Sequence, residues 1–186
     1  KIFPETIEEL MNKDKKIFCL MGDIGIFSFR NIFKKFKNRI LNMSTMEQTM
    51  LGFGAGLSKA GYIPVIHSIT PFLVLRALEQ IKIDFVYNKL PCNIVSVGAS
   101  NDYAKLGTTH HCFEDISVLS NYENINLFLP SSPQEFRYLL KKNYKNNSVN
   151  YFRISGNVNT KLIKNNGFIK NDKHKTLIII VGNAIN

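Results

Sequence analysis

Short, continuous apolar runs that stop at or start from glycine punctuate this chain, and they leave few folds open to it. Ile17-Phe18-Cys19-Leu20-Met21 runs into Gly22-Asp23, Tyr62-Ile63-Pro64-Val65-Ile66 follows Gly61, and Asn93-Ile94-Val95-Ser96-Val97 stops at Gly98. Runs of this length without polar alternation have the pattern of strands covered on both faces. Further strands are expected at Arg39 to Asn42, Ile125 to Leu129, Val149 to Ile154 and Thr176 to Val181. Helical patterns separate them: Pro4 to Met11, Asn31 to Phe36, a helix opening near Glu47, Pro71 to Lys82, His111 to Leu119, and Pro133 to Lys142. Strands alternating with helices predict an α/β fold, a mainly parallel sheet with helices on both faces.

The helix near Glu47 is the best defined. Ser44 or Thr45 is placed to cap it, and Glu47 lies in its first turn. Met46, Met50, Phe53 and Leu57 recur at helical spacing and make an apolar face. Gly52, Gly54 and Gly56, around Ala55, are costly in a helix. A helix accepts that cost where a backbone or a ligand must approach closely. Taken alone, Glu47 is better explained as a carboxylate that caps its helix. Residues 99–109 read as a polar loop.

Composition narrows the function classes. The chain has 186 residues, 24 Lys and Arg against 14 Asp and Glu, and a formal charge of +10. The basic residues are scattered, and the small clusters Lys34-Lys35-Phe36-Lys37 and Lys141-Lys142-Asn143-Tyr144-Lys145 fall at helix ends, where cations suit the helix dipole. They read as solvated surface, and no nucleic-acid partner is expected. No apolar run approaches the ~20 residues that cross a bilayer, and the N-terminus lacks a signal-peptide pattern. Cys19, Cys92 and Cys112 have no metal-ligand spacing and read as reduced thiols, which favours a cytoplasmic location. Residues 1–155 are expected to form one domain, 156–175 a polar linker, and 176–186 the start of a further, truncated α/β domain.

Three segments together resemble the pyrimidine-binding domain of transketolase-type thiamine-diphosphate enzymes. The first is Met46-Glu47-Gln48-Thr49-Met50-Leu51-Gly52-Phe53-Gly54-Ala55-Gly56-Leu57. The second is Gly61-Tyr62-Ile63-Pro64-Val65-Ile66-His67-Ser68-Ile69-Thr70-Pro71-Phe72-Leu73, continuing into Arg76-Ala77-Leu78-Glu79-Gln80-Ile81. The third is Gly107-Thr108-Thr109-His110-His111 with Glu114-Asp115-Ile116, and the Pro130-Ser131-Ser132-Pro133-Gln134-Glu135 turn also matches. The resemblance covers most of the chain, from about Asp23 to Arg153.

The resemblance implies a thiamine-diphosphate-binding fold of the pyrimidine type and a two-carbon ketol transfer between sugars. It implies that Glu47 hydrogen-bonds N1′ of the cofactor's aminopyrimidine, so that the 4′ nitrogen can take the thiazolium C2 proton. Burial favours a protonated carboxyl in that role, whereas a helix N-terminus favours the ionised one. His110 is implied beside the 4′-amino group and the substrate, and His111 within reach of substrate. His67 falls where relatives place a ring that stacks on the pyrimidine, with Phe72 as its neighbour and Asp23 as an acid near the cofactor. Arg76 reads as structural, at a subunit interface.

Two departures bear on substrate. Leu106 stands where many transketolases carry an acid that recognises a donor hydroxyl, and the loop before it is short and lacks the usual histidine. Asp102 and Tyr103 are the candidates to replace those contacts, and a specialised sugar becomes the expected substrate. The family's Gly-Asp-Gly motif for Mg²⁺ and diphosphate is not matched by Gly22-Asp23-Ile24-Gly25. The expected arrangement is a split enzyme, in which a partner subunit holds Mg²⁺ and the diphosphate, in a dimer or heterotetramer of such pairs. Other reactions of the same cofactor (1-deoxy-ketose synthesis, 2-oxoacid chemistry) and a non-catalytic assembly role stay open.

Overall fold

A computed structural model describes residues 2–156. The expected 176–181 strand and nearly all of the expected linker lie outside the described residues. The elements run α1 (Ile2–Lys13), β1 (Ile17–Met21), α2 (Ile26–Lys35), β2 (Ile40–Asn42), α3 (Glu47–Lys59) and β3 (Ile63–Ile69). A helical stretch follows, made of a π-helical turn Phe72–Arg76, the short α4 (Leu78–Gln80) and a second π-helical run Ile81–Tyr87. Then come β4 (Cys92–Val97), α5 (Asp115–Leu119), β5 (Ile125–Phe128), α6 (Pro133–Asn143) and β6 (Val149–Ile154). The six strands pair in the order β2-β1-β3-β4-β6-β5, and every pair is parallel.

Both faces of this sheet are covered, as parallel sheets require. Successive residues of each strand feed opposite cores. On one face Cys19, Met21, Val65, Val95 and Phe152 pack against α1, α2 and α6 through Phe3, Ile7, Phe29, Ile32, Phe136 and Leu140. On the other face Leu20, Ile66, Ile94 and Tyr151 pack against α3, the 72–87 stretch and α5 through Met50, Leu51, Leu73, Val74, Phe85 and Leu119. Gly54 lets α3 sit this close to the sheet, because a Cβ there would lie 2.7 Å from Cδ1 of Ile66. All three cysteines are free and buried. Burial pushes the Cys19 thiol up to about 12, so it packs as a small apolar group.

Several boundaries differ from those expected, each for a local reason. The second helix begins at Ile26 rather than near Asn31, because Phe29 and Ile32 bury one face while Phe27 stays 86% exposed and blurs the periodicity. Strand β3 continues three residues past Ile66, carrying two polar side chains, His67 and Ser68, into the buried interior. The 72–87 stretch outruns the expected helix because Ile81 and Phe85 bury its far end. The helix expected from His111 starts only at Asp115, since Ser100 and Cys112 pair as an antiparallel bridge that holds the preceding residues extended. Neither Ser44 nor Thr45 caps α3; Met46 occupies the cap position without a side-chain hydrogen bond, and Ser44 takes a left-handed φ of 57°.

Candidate active site

The carboxyl ends of the strands gather the chemistry, as in other open parallel sheets. Glu47 opens α3 there with its side chain fully buried. Ser68, on β3, donates its hydroxyl to Glu47 Oε1 at 3.0 Å. Arg76, on the π-helical turn, donates Nη1–H to Oε2 at 2.9 Å. Both carboxylate oxygens are therefore engaged, one from the sheet and one from a cation whose own side chain is 46% exposed. Burial without such partners would be costly for a charged group.

A ring lies beside this pair. The Arg76 guanidinium sits 4.2 Å from the centroid of Phe72, four residues earlier and one turn away. Phe72 in turn meets His110 edge to face at 5.1 Å. Nδ1 of His110 is engaged by the Thr109 hydroxyl at 3.0 Å, which leaves Nε2 as the other ring nitrogen. Tyr103 completes the series, 6.3 Å from His110. Glu47, Arg76, Phe72, His110 and Tyr103 thus form one continuous line of contacts.

The loop between β4 and α5 is built rather than loose. It contains the 3₁₀ turns Ala104–Leu106 and Thr108–His110. Its start depends on Gly98, which has a φ of +78° and sits so close to Tyr103 that a Cβ would lie 2.1 Å from a ring carbon. Burial, and then the neighbouring Asp102 charge, raise the Tyr103 hydroxyl above its ordinary range, so the phenol stays protonated as a donor. Asp102 is half-buried and its backbone N–H donates to the Ala99 carbonyl at 3.1 Å. Leu106 is 58% exposed. His111 points Nε2 into a buried position with no hydrogen-bond partner, and its ring lies 6.2 Å from Phe113. Beneath the loop, buried Asp115 accepts from the Tyr151 hydroxyl at 2.7 Å and from Arg153 at 3.3 Å, while Arg153 also donates to Ser100 at 2.6 Å.

Two expected cofactor residues stand apart from this line. Asp23 is exposed, with a φ of 56°, and pairs with Asn42, whose Nδ2 donates to it at 3.0 Å. His67 is the larger correction. It neighbours Ser68 on β3 and so faces the opposite core, with its ring 4.7 Å from Phe3 and Nδ1 donating to the Val95 carbonyl at 2.7 Å. From there it cannot stack on a ring seated at Glu47, which lies across the sheet.

His67 has a different consequence. Burial lowers its pKa from 6.5 to about 4, against the raising effect of the Val95 carbonyl. Above pH 6.5 it is neutral whether the chain is folded or not. As pH falls from 6.5 towards 4 the unfolded chain takes up a proton that the folded chain refuses, and stability drops by about 3 kcal/mol. In thermal melts over that range, His67→Gln is expected to flatten the acid-side decline. An unchanged slope would assign it to other groups.

The whole described domain matches a single family model. Residues 1–157 fit the description "Transketolase, pyrimidine binding domain". The chain belongs to that family. It is 33% identical over 157 residues to an uncharacterised 33.6 kDa protein of the fasciation locus of Rhodococcoides fascians, covering 84% of this chain and 50% of that protein. It is 37% identical over 125 residues to one of the apulose-4-phosphate transketolase subunits from Actinobacillus succinogenes, covering 66% of this chain and 40% of the relative. Among solved structures it resembles a split-gene transketolase described as an inactive β4 tetramer, with a TM-score of 0.77 and 26% identity over 88% of this chain and 53% of that one. The chain therefore spans about half the length of the relatives it matches.

Within this transketolase domain, sequence reasoning missed Ser68 as a partner of Glu47 and gave Arg76 only a structural part. Strand alternation past Ile66 would have placed Ser68 on the α3 face. Gly22 reads from the sequence only as the end of a strand, and its contact with Ser68 was missed. A Cβ on it would sit 2.7 Å from Oγ and 2.8 Å from Cβ of Ser68. Gly22→Ala is expected to destabilise the fold by about 1–3 kcal/mol and to displace Ser68 from Glu47. The melting temperature should fall, and one equal to the wild type would show that Ser68 gives way at no cost.

Proposed function

We propose that this chain is the pyrimidine-binding part of a thiamine-diphosphate enzyme that transfers a two-carbon ketol unit between sugars. The observation that carries this reading is the fully buried Glu47 carboxylate, held by Ser68 and by Arg76, whose guanidinium lies against the Phe72 ring. A carboxylate and an aromatic face bridged by one flat cation fit the aminopyrimidine end of thiamine diphosphate, a flat heteroaromatic ring with a nitrogen to bind. Once bound, that cofactor supplies the carbon nucleophile for breaking and forming the C–C bond.

The chain's residues then have distinct tasks. Glu47 holds or shares the proton at N1′, which sets the basicity of the 4′ nitrogen. Phe72 gives the ring a face to rest on. His110 presents Nε2 to the substrate oxygen on which charge develops. Asp102 and Tyr103 line the loop where the sugar is selected, and His111 stands behind it. With Leu106 in place of an acid, recognition of the donor hydroxyl falls to those loop residues, which favours a sugar other than the common pentose phosphates.

The diphosphate end needs a partner. Among the described residues no group of three or more His, Cys, Asp or Glu side chains stands together in a way that holds a metal ion. Apolar side chains remain exposed on the elements that carry the site, Met46 at the cap of α3, Phe53 on α3 and Leu75 beside Arg76. The exposed apolar side chains support a second subunit or domain that covers this side and carries Mg²⁺. Calorimetric titration with thiamine diphosphate and Mg²⁺ tests this. Binding is expected when the diphosphate-binding partner is present and is expected to be weak for the chain alone. No binding in the complex would instead favour an assembly role.

A further inference from the structure

Arg76 stands where a bound ring would have to go. The Glu47 side chain is wholly buried, and Ser68 takes Oε1 from the sheet side. The other oxygen is reached by Arg76, the partner of Glu47 that extends to solvent. The same guanidinium covers Phe72 at 4.2 Å. A guanidinium is planar, donates N–H to carboxylate oxygens and stacks on aromatic faces. A pyrimidine protonated at N1′ offers the same three properties. One side chain thus satisfies the two surfaces, carboxylate and aromatic face, that recognise the ring.

We infer that Arg76 is an internal competitor for the cofactor's pyrimidine, which must be displaced from Glu47 and Phe72 as the ring is seated. This rests on the reading above, in which Glu47 meets N1′. The exchange is near balanced: one N–H donor to Oε2 replaces another, and one flat cation leaves the Phe72 face as a flat ring arrives. Arg76 can leave at small cost, because its long side chain is nearly half exposed and its charge is easily solvated. Its consequence is on loading. The site binds cofactor only from the fraction of molecules in which Arg76 has moved away, so the apparent affinity is reduced by that fraction. The π-helical turn carries both Phe72 and Arg76, and from it Arg76 reaches Glu47.

The opposite role, Arg76 orienting Glu47 in the loaded enzyme, changes the sign of one measurement. Calorimetric titration of the full chain with its diphosphate-binding partner, using thiamine diphosphate and Mg²⁺, compares wild type with Arg76→Ala, Arg76→Met and Glu47→Ala. An ion pair open to solvent on the arginine side and a cation–π contact together correspond to about tenfold. Both Arg76 variants are expected to bind about tenfold more tightly, and stopped-flow mixing should show faster association. Arg76→Met keeps the length of the side chain and secures the test if the alanine variant folds poorly. Equal or weaker binding by the folded Arg76 variants overturns the competitor role, and if Glu47→Ala still loses affinity the functional reading stands without it. Wild-type affinity in Glu47→Ala, or no binding by the wild type, overturns both.

Discussion

Glu47→Gln, assembled with the diphosphate-binding partner, is expected to lose activity by about 10²- to 10⁴-fold while remaining folded, the range for removal of a positioned acid–base group. The glutamine keeps the size of the side chain and one oxygen for Ser68 or Arg76, but it cannot share a proton with a ring nitrogen. Its amide must also face at least one donor, so a stability loss of about 1–3 kcal/mol is expected from the mismatched hydrogen bond. A loss of activity far larger than any loss of folded protein separates chemistry from structure. Circular dichroism melting beside steady-state turnover makes the comparison. Activity within a few-fold of wild type would remove Glu47 from the chemistry, and a variant that does not fold would make it a structural carboxylate.

The largest stability effect is expected at Asp115. Its side chain is fully buried, and it accepts from Tyr151 at 2.7 Å and from Arg153 at 3.3 Å. Tyr151 itself takes the Ser96 hydroxyl at 2.7 Å, so one carboxylate anchors a chain of polar groups inside the sheet. Asp115→Ala strands a buried phenol and a mostly buried guanidinium. Removing one partner of a buried pair costs about 3–5 kcal/mol. For a chain of this size that corresponds to a fall of about 10 °C in melting temperature. Asp115→Asn keeps the shape and one acceptor and should lose less. The effect reaches the site, because Arg153 ties Ser100 at the start of the loop that carries Tyr103 and His110. A melting temperature unchanged in Asp115→Ala would show that Arg153 and Tyr151 find other partners.

Much of the fold was legible because apolar runs force strands into a parallel sheet. β1, β4 and β6 lie almost wholly within the runs read for them. What escaped were features decided by tertiary packing. Strand β3 looked finished at Ile66 because polar His67 and Ser68 follow, yet the fold buries both. The resemblance alone puts His67 at the cofactor, whereas strand alternation turns it to the face opposite Ser68. The lack of a side-chain cap on α3 was hidden too, since Ser44 and Thr45 have the chemistry of caps and only the left-handed turn at Ser44 denies them the geometry.

Glu47 was legible as a candidate, and the residues that hold it were not. Glu47 was picked out by the glycine-rich helix it opens and by the segments around it. Ser68 and Arg76 lie 21 and 29 residues further along, and nothing local links them to Glu47. Their meeting requires β3 to run beside α3 and the 72–76 turn to cross its start. Phe72 and His110 were each legible as candidates, but their edge-to-face contact depends on how the 98–112 loop folds back, which is set by Gly98 and by the Ser100–Cys112 bridge.

The exchange of the C2 proton of bound thiamine diphosphate for deuterium, followed by NMR in the complex with the diphosphate-binding partner, tests the role of Glu47 most directly. If Glu47 sets the basicity of the 4′ nitrogen, exchange is fast in the wild type and at least about 100-fold slower in Glu47→Gln with cofactor still bound. Equal exchange rates in the two proteins would contradict that role and leave Glu47 as a buried anchor for α3.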